Sequence, residues 1–185
     1  MEKIDRRVQR THKLLADALV VLAQQQGYDS VTIRDITEYA DISYSTFFRH
    51  YPDKDALLLD LIQNTVAELR SVIGEDEPAQ ISGTILFKHV AENQALYRTL
   101  LGGLTSSAIV QGIQNVIISE VLPSIDLDAD AIVPREIMAN HVATSVLALV
   151  KWWLDHDMPY SSQRMGEIYA AIIIMPMHKK QKFIP

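Results

Sequence analysis

"TIRDITEYADISYSTFFRHYPDKDAL", residues 32–57, decides the fold of this chain. Thr32 followed three residues later by Asp35 has the pattern of a capping box, and Val31 before the cap is placed to staple to Ile36. The device repeats at once, with Ser43 as the cap of a second short helix and Ile42 placed to staple to Phe47. Only Ala40, Asp41 and Ile42 separate Tyr39 from Ser43, so the spacing predicts two short helices joined by a three-residue turn, the dimension of a helix-turn-helix unit. Pro52 closes the second helix and Asp53 caps a long one reaching about Ile73, with Leu57, Leu58, Leu61, Ile62, Val66, Leu69 and Val72 on its apolar side.

The second short helix has two faces. Phe47 and Tyr51 lie one above the other beside Ile42 and are expected to form its buried anchor. Tyr44, Ser45, Phe48 and Arg49 fall on the other side, a surface of hydroxyls, rings and charge left for a partner. The major groove of DNA admits one α-helix, and Tyr44 and Ser45 near its N-terminus are placed for base edges. Lys54 sits in the first turn of the following helix, where a cation opposes the local positive end of the macrodipole; a bound phosphate would be favoured by both.

Outside this core motif the chain reads as further helices. Ile4, Val8, Leu15, Leu19 and Leu22 form the stripe of an amphipathic first helix, and Gly27 stands where a C′ glycine would end it. After the polar break at 74–78, helices are expected near 81–92, 94–102, 106–121, 134–156 and 161–175. They are separated by Gly102-Gly103, by "PSIDLDADAIVP" and by "DHDMPYS". The β-branched run Ile172 to Ile174 suggests a strand only in isolation, since one strand without a partner is not a stable element.

The 185 residues are 48% hydrophobic, enough for one sizeable core or a small domain joined to a larger one. With no cysteine there is no disulfide framework and no thiolate metal site. No run approaches about 18 consecutive apolar residues and the N-terminus lacks a signal-peptide pattern, so a soluble, cytoplasmic protein is expected, with no membrane partner. Net charge is −6, yet Lys3, Arg6, Arg7, Arg10 and Lys13 crowd the first 13 residues against only Glu2 and Asp5. A cationic working end on an acidic body is the natural reading of that asymmetry.

Residues 10–58 resemble the DNA-binding domain of the tetracycline-repressor (TetR/AcrR) family of bacterial transcription regulators. The resemblance runs through the glycine-tyrosine after helix one, "TIRDI", "STFFRHY" and "DKDAL". It implies phosphate contacts from Thr32, Arg34, Thr46, His50 and Lys54, base contacts from Tyr44 and Ser45, and auxiliary contacts from the basic N-terminus, Arg6 and Arg10 among them. Ser43, Phe48 and Arg49 complete the candidate DNA-binding surface. The chain departs from the family pattern in carrying Asp41 where glycine is usual in the turn, Phe48 where tyrosine is frequent, and Tyr44 and Ser45 where a small residue or lysine is frequent.

"LFKHVAENQALYRTLLGG" at 86–103 and "LVKWWLDHDMPYS" at 149–161 are similar to one subgroup of the same family, marked by WWL-x-x-x-MPYS. The implied architecture is all-α with about nine helices. A helix-turn-helix domain over 1–52 precedes a ligand-binding and dimerisation domain over 53–185, joined through the helix that starts at 53. Val142, Val146, Leu149, Trp153, Ile168 and Ile172 are candidates for a homodimer interface. Phe87, Tyr97, Leu101, His141 and Trp152 are candidates for a pocket holding an unidentified small-molecule effector.

No catalytic residue, metal site or cofactor is indicated. The six histidines stand without an HExxH, a paired Glu-x-x-His, a GxSxG elbow or a phosphate loop, so an enzyme is not expected. The sequence therefore reads as a ligand-responsive regulator, a repressor by family analogy, binding double-stranded operator DNA at an inverted repeat. The competing reading is a helical small-molecule-binding or scaffold protein without sequence-specific DNA binding; it leaves Lys54 and the basic N-terminus without a task.

Overall fold

The first helix ends where its backbone must reverse hand: Gly27 has φ 81°, a value that costs glycine nothing and other residues a good deal. In the computed structural model, which describes residues 6–74, 77–101, 107–125 and 133–178, that helix is α1 (Arg6–Gln26). A 3-10 turn, Tyr28–Ser30, leads to α2 (Ile33–Tyr39), α3 (Tyr44–His50) and α4 (Lys54–Val72). Then follow α5 (Ala79–Glu92), α6 (Gln94–Leu101), α7 (Ser107–Val121), α8 (Arg135–Asp155) and α9 (Ser162–Tyr169). Among the described residues there is no strand, and the expected all-α class holds. Ile4, Gly102-Gly103 and most of the 123–134 loop lie outside the described residues.

The chain divides into two compact units: Met1–Asn64 with Ala95–Val110, and Thr65–Gln94 with Gln111–Pro185. The first is built on Leu15, Leu19, Val31, Ile36, Phe47, Leu57, Leu58 and Ile62, all buried. Phe47 is fully enclosed and Tyr51 nearly so, as their spacing predicted. Asp53 caps α4 through a 2.7 Å bond from the Ala56 N–H to its carboxylate. Val72, expected on the apolar side of α4, is exposed: the helix is in its last turn there.

The second unit is held by a close crossing of α5 and α9. A Cβ on Gly83 would stand 2.9 Å from the Gly166 Cα and 2.6 Å from the Tyr169 ring, so both helices use glycine to let their backbones meet. Phe87 and Trp153 pack edge to face at 5.2 Å in the core. A smaller cluster of Ile125, Met138 and Ala139 packs with Ile118, Leu122 and Val133. α8 is long and apolar enough to cross a membrane by length and composition alone. Met138, Ala139, Val142, Ala143, Val150, Trp153 and Leu154 on it are buried in the protein, whereas Ile137 and Trp152 are exposed. The Ile172 to Ile174 run is neither strand nor regular α-helix; it lies in a π-helical segment, Ala170–Ile174, that continues α9.

Candidate nucleic-acid interface

Both ends of the short α2 are fixed by its own residues. At its start, the Asp35 N–H donates to the Thr32 hydroxyl at 3.1 Å while the Thr32 N–H and hydroxyl donate to the Asp35 carboxylate at 2.9 and 2.7 Å. Those bonds hold the Asp35 carboxyl below the usual carboxylate range, the hydroxyl first and the backbone N–H second. At its end, Asp41 takes φ 53°, its N–H donates to the Glu38 carbonyl, and the Ile42 N–H donates to the Thr37 carbonyl at 3.0 Å. That pair of bonds is a Schellman motif with aspartate at C′, so the turn keeps the left-handed geometry that glycine would supply.

α3 starts with an equal economy. The Thr46 N–H donates to the Ser43 hydroxyl, which also lies 2.8 Å from the Thr46 hydroxyl and 3.1 Å from that of Ser45. Phe47 anchors the inner side. On the outer side Tyr44 is 55% and Phe48 45% exposed, their rings edge to face at 4.9 Å, and Phe48 leans on Phe47 at 5.4 Å. Ser45 and Arg49 are exposed beside them, and Arg6 and Arg10 are exposed on α1. Arg34 is also exposed, its Nε donating to Glu38 at 2.8 Å in an i,i+4 pair of small energetic worth.

Two expected phosphate ligands have other partners. Lys54 Nζ donates to the carbonyls of Tyr28, Val31 and Asp29 at 2.9, 2.9 and 3.2 Å and sits 4.5 Å from the centre of the Tyr28 ring. Three carbonyls match the three ammonium protons, so Lys54 ties the start of α4 to the turn that delivers α2 rather than facing outward. The Tyr28 hydroxyl completes the tie by donating to Asp55 at 2.5 Å; burial first, and that bond second, raise its pKa well above normal. Sequence could not place Lys54 because the carbonyls it meets come from a turn 23 to 26 residues away.

His50 is half-buried, and its Nδ1 lies 3.2 Å from Nε2 of His12 on α1. The other nitrogen of His12 is 3.5 Å from the Asp60 carboxylate of α4, which also accepts a 2.6 Å bond from the Tyr51 hydroxyl. α1, α3 and α4 are thus joined through one polar chain. Burial, then the nearby His12 and Arg49, lower the pKa of His50. Nothing in the spacing of His12 announced this chain.

Burial divides the candidates for the pocket and for the dimer interface differently from the roles assigned to them. Trp153, assigned to the interface, is 1% exposed and its indole N–H donates to the Tyr160 carbonyl at 3.0 Å; Val142 is likewise buried. Trp152, assigned to the pocket, is 42% exposed, stacked on His156 at 4.4 Å. Adjacent residues on a helix point about 100° apart, and here Trp152 turns outward while Trp153 and Leu154 enter the core. His141 is exposed too, Phe87 is plain core, and Tyr97 and Leu101 are half-buried on α6. Val146, Leu149 and Ile168 are half-buried, whereas Ile172 is 57% exposed. Ile137 and Met175, which the sequence reading passed over, are also open. Ile137, His141, Thr144, Ala148 and Trp152 follow one another at steps of three or four along the outer face of α8, a stripe that the burial of the opposite face isolates.

Residues 15–61 match the family described as "Bacterial regulatory proteins, tetR family", and residues 81–174 match "Transcriptional regulator C-terminal region". The HTH-type transcriptional regulator YxbF of Bacillus subtilis is 27% identical over 96% of this chain and 48% of its own length. This chain thus spans about half the length of that relative. A TetR transcriptional regulator of Streptococcus agalactiae shares the fold with TM-score 0.67 and 23% identity, over 91% of this chain and 96% of that one. Thermus thermophilus FadR, a TetR-family repressor solved with lauroyl-CoA, does so with TM-score 0.60 and 18% identity over 94% and 98% of the two chains.

Proposed function

Since the chain belongs to the tetR family of bacterial regulatory proteins, we propose that it is a DNA-binding transcriptional regulator that places α3 in the major groove of an inverted-repeat operator. The observation that carries the reading is the construction of α3: capped by Ser43, anchored by buried Phe47, and open on the face of Tyr44, Ser45, Phe48 and Arg49. A helix held this firmly and left uncovered on one side is suited to rigid docking. Thr46 and Arg34, with Arg6 and Arg10 on α1, supply donors and charge for phosphates. Thr32 and Lys54 serve instead by fixing the N-terminus of α2.

Residues 1–52 form the DNA-binding part in this reading, and residues from 53 onward the regulatory part. The exposed stripe from Ile137 to Trp152, apolar at its two ends with His141 and Thr144 between, is where, with Ile172 and Met175, a second copy of the chain would dock to give a homodimer. Repression relieved by a small-molecule effector is the working mode, by analogy with the Thermus repressor held with lauroyl-CoA. A cytoplasmic location follows from the same role, and the WWL-x-x-x-MPYS segment marks the subgroup. The relatives are named as regulators rather than enzymes, and no chemical step is assigned.

Selection of duplexes from a random-sequence pool by the purified protein, followed by anisotropy titrations at several salt concentrations, tests the reading. Enrichment of an inverted repeat whose affinity falls steeply with salt is expected. Failure to enrich any sequence, with weak and uniform binding, would remove it.

A further inference from the structure

The outer face of α3 has an unusual chemical vocabulary. Tyr44–His50 contains no asparagine, glutamine, lysine or carboxylate, so the bidentate pairing that reads adenine and the carboxylate that reads cytosine are both missing, leaving hydroxyls as the only side-chain oxygens. Arg49 alone offers a fork for guanine. The largest exposed groups are two rings, Tyr44 and Phe48.

Phe48 has no side-chain polar atom, so it can bond neither a phosphate nor the polar edge of a base. Its position is nonetheless fixed: the ring is edge to face with Tyr44 on one side at 4.9 Å and with the enclosed Phe47 on the other at 5.4 Å. Such bracing removes rotamer freedom before binding, which lets a small apolar contact register in affinity. In the major groove the apolar group within reach of such a ring is the C5 methyl of thymine. The surrounding charge suits a polyanion, with Arg49 exposed beside the rings and no acidic residue anywhere on α3.

On these grounds, and resting on the regulator reading above, we infer that Phe48, braced by Tyr44 and Phe47, is a specificity-determining residue that reads thymine methyl groups in each operator half-site. Burying one methyl against the ring corresponds to about a fourfold gain in affinity. Sequence preference at those positions is therefore a preference for the methyl, not for a hydrogen-bonding edge.

The test uses duplexes enriched by the protein from a random pool, resynthesised with each thymine in turn replaced by deoxyuridine, which keeps every hydrogen-bonding group and loses only the methyl. One or two positions in each half-site should weaken by about fourfold apiece. Phe48→Ala, checked by circular dichroism and melting, should bind thymine and uracil duplexes equally at those positions. Tyr44→Ala should blunt the discrimination by releasing the brace. Equal affinity of the wild-type protein for thymine and uracil at every position overturns the inference while leaving the regulator reading intact. So does discrimination that persists unchanged in a folded Phe48→Ala. Absence of any enriched duplex removes the regulator reading, and this inference with it.

Discussion

Lys54 Nζ stands 2.9 Å from the carbonyl oxygen of Val31, the residue that precedes the cap of α2. Together with the carbonyls of Tyr28 and Asp29, this leaves the ammonium no proton for a phosphate unless a carbonyl is given up. The energetic sense is clear, because one cation gives three turn carbonyls a partner at once, although that of Tyr28 also accepts from the Val31 N–H at 3.2 Å. In the proposed complex the side chain would therefore act on DNA only through the position of Thr32 and α2.

A measurable distinction follows. Removing a phosphate ligand reduces the log K against log salt slope by about one unit per contacting subunit, whereas removing an internal tie does not. Lys54→Met should leave the slope unchanged and cost about 1 to 3 kcal/mol in stability through the carbonyls it strands. A shallower slope with an unchanged melting temperature would return Lys54 to the phosphate.

The His12–His50 pair predicts acid sensitivity of the first unit. His50 in the folded state binds a proton less readily than in the unfolded chain, because burial and the facing His12 and Arg49 oppose its charge. The unfolded state therefore takes up the proton first as pH falls through its ordinary value of about 6.5, and stability is lost from there downward; it is fully present above that value. Asp35, held low by Thr32, adds a loss of the same sign only in a more acidic window, as pH falls below the ordinary carboxylate value. Melting curves between about pH 7.5 and 5.5, around that histidine value, should show a falling midpoint that flattens in His50→Gln. An identical pH slope in the variant would exclude His50 as its source.

The glycine crossing of α5 and α9 predicts a steep cost for a single methyl. A Cβ at Gly166 would lie 2.5 Å from both the Gln80 carbonyl oxygen and the Thr84 nitrogen, backbone atoms that cannot rotate away. Gly166→Ala should lose about 1 to 3 kcal/mol or more by overpacking, despite the better helix propensity of alanine. Denaturant titration decides it; an alanine variant as stable as the parent would mean that the two helices slide apart freely.

Local chemistry was legible in the sequence and its long-range use was not. Thr32, Ser43 and Asp53 cap their helices because capping is settled within three residues, and Phe47 is buried because an i, i+4 pair leaves few alternatives. The contacts that Lys54 and His50 make were not legible because their partners lie 23 to 38 residues away and helix propensity carries no word of them. Which tryptophan is buried was hidden for a third reason. α8 carries large apolar side chains, Ile137 and Trp152, on its outer face as well as its inner one, so the spacing does not say which tryptophan meets the core, and Phe87 packs against Trp153.

That register sets the last prediction, in which neighbouring tryptophans fail in opposite ways. Trp153 is enclosed, packed against Phe87 and hydrogen-bonded to the Tyr160 carbonyl, so Trp153→Ala removes a large core side chain and should cost about 3 to 5 kcal/mol. Trp152 stands outside on the stripe with Ile137, where the proposed second subunit would cover it. Trp152→Glu places a charge on that face without entering the core, so the melting of the isolated subunit should change little. Self-association should weaken by an order of magnitude or more if the desolvated charge finds no partner across the interface. Sedimentation velocity over a concentration series, with chemical denaturation of both variants, separates the two effects. A Trp152→Glu protein that remains dimeric at nanomolar concentration would remove the α8 stripe from the interface. A Trp153→Ala protein of unchanged stability would instead mean that the packing of the second unit has been wrongly registered.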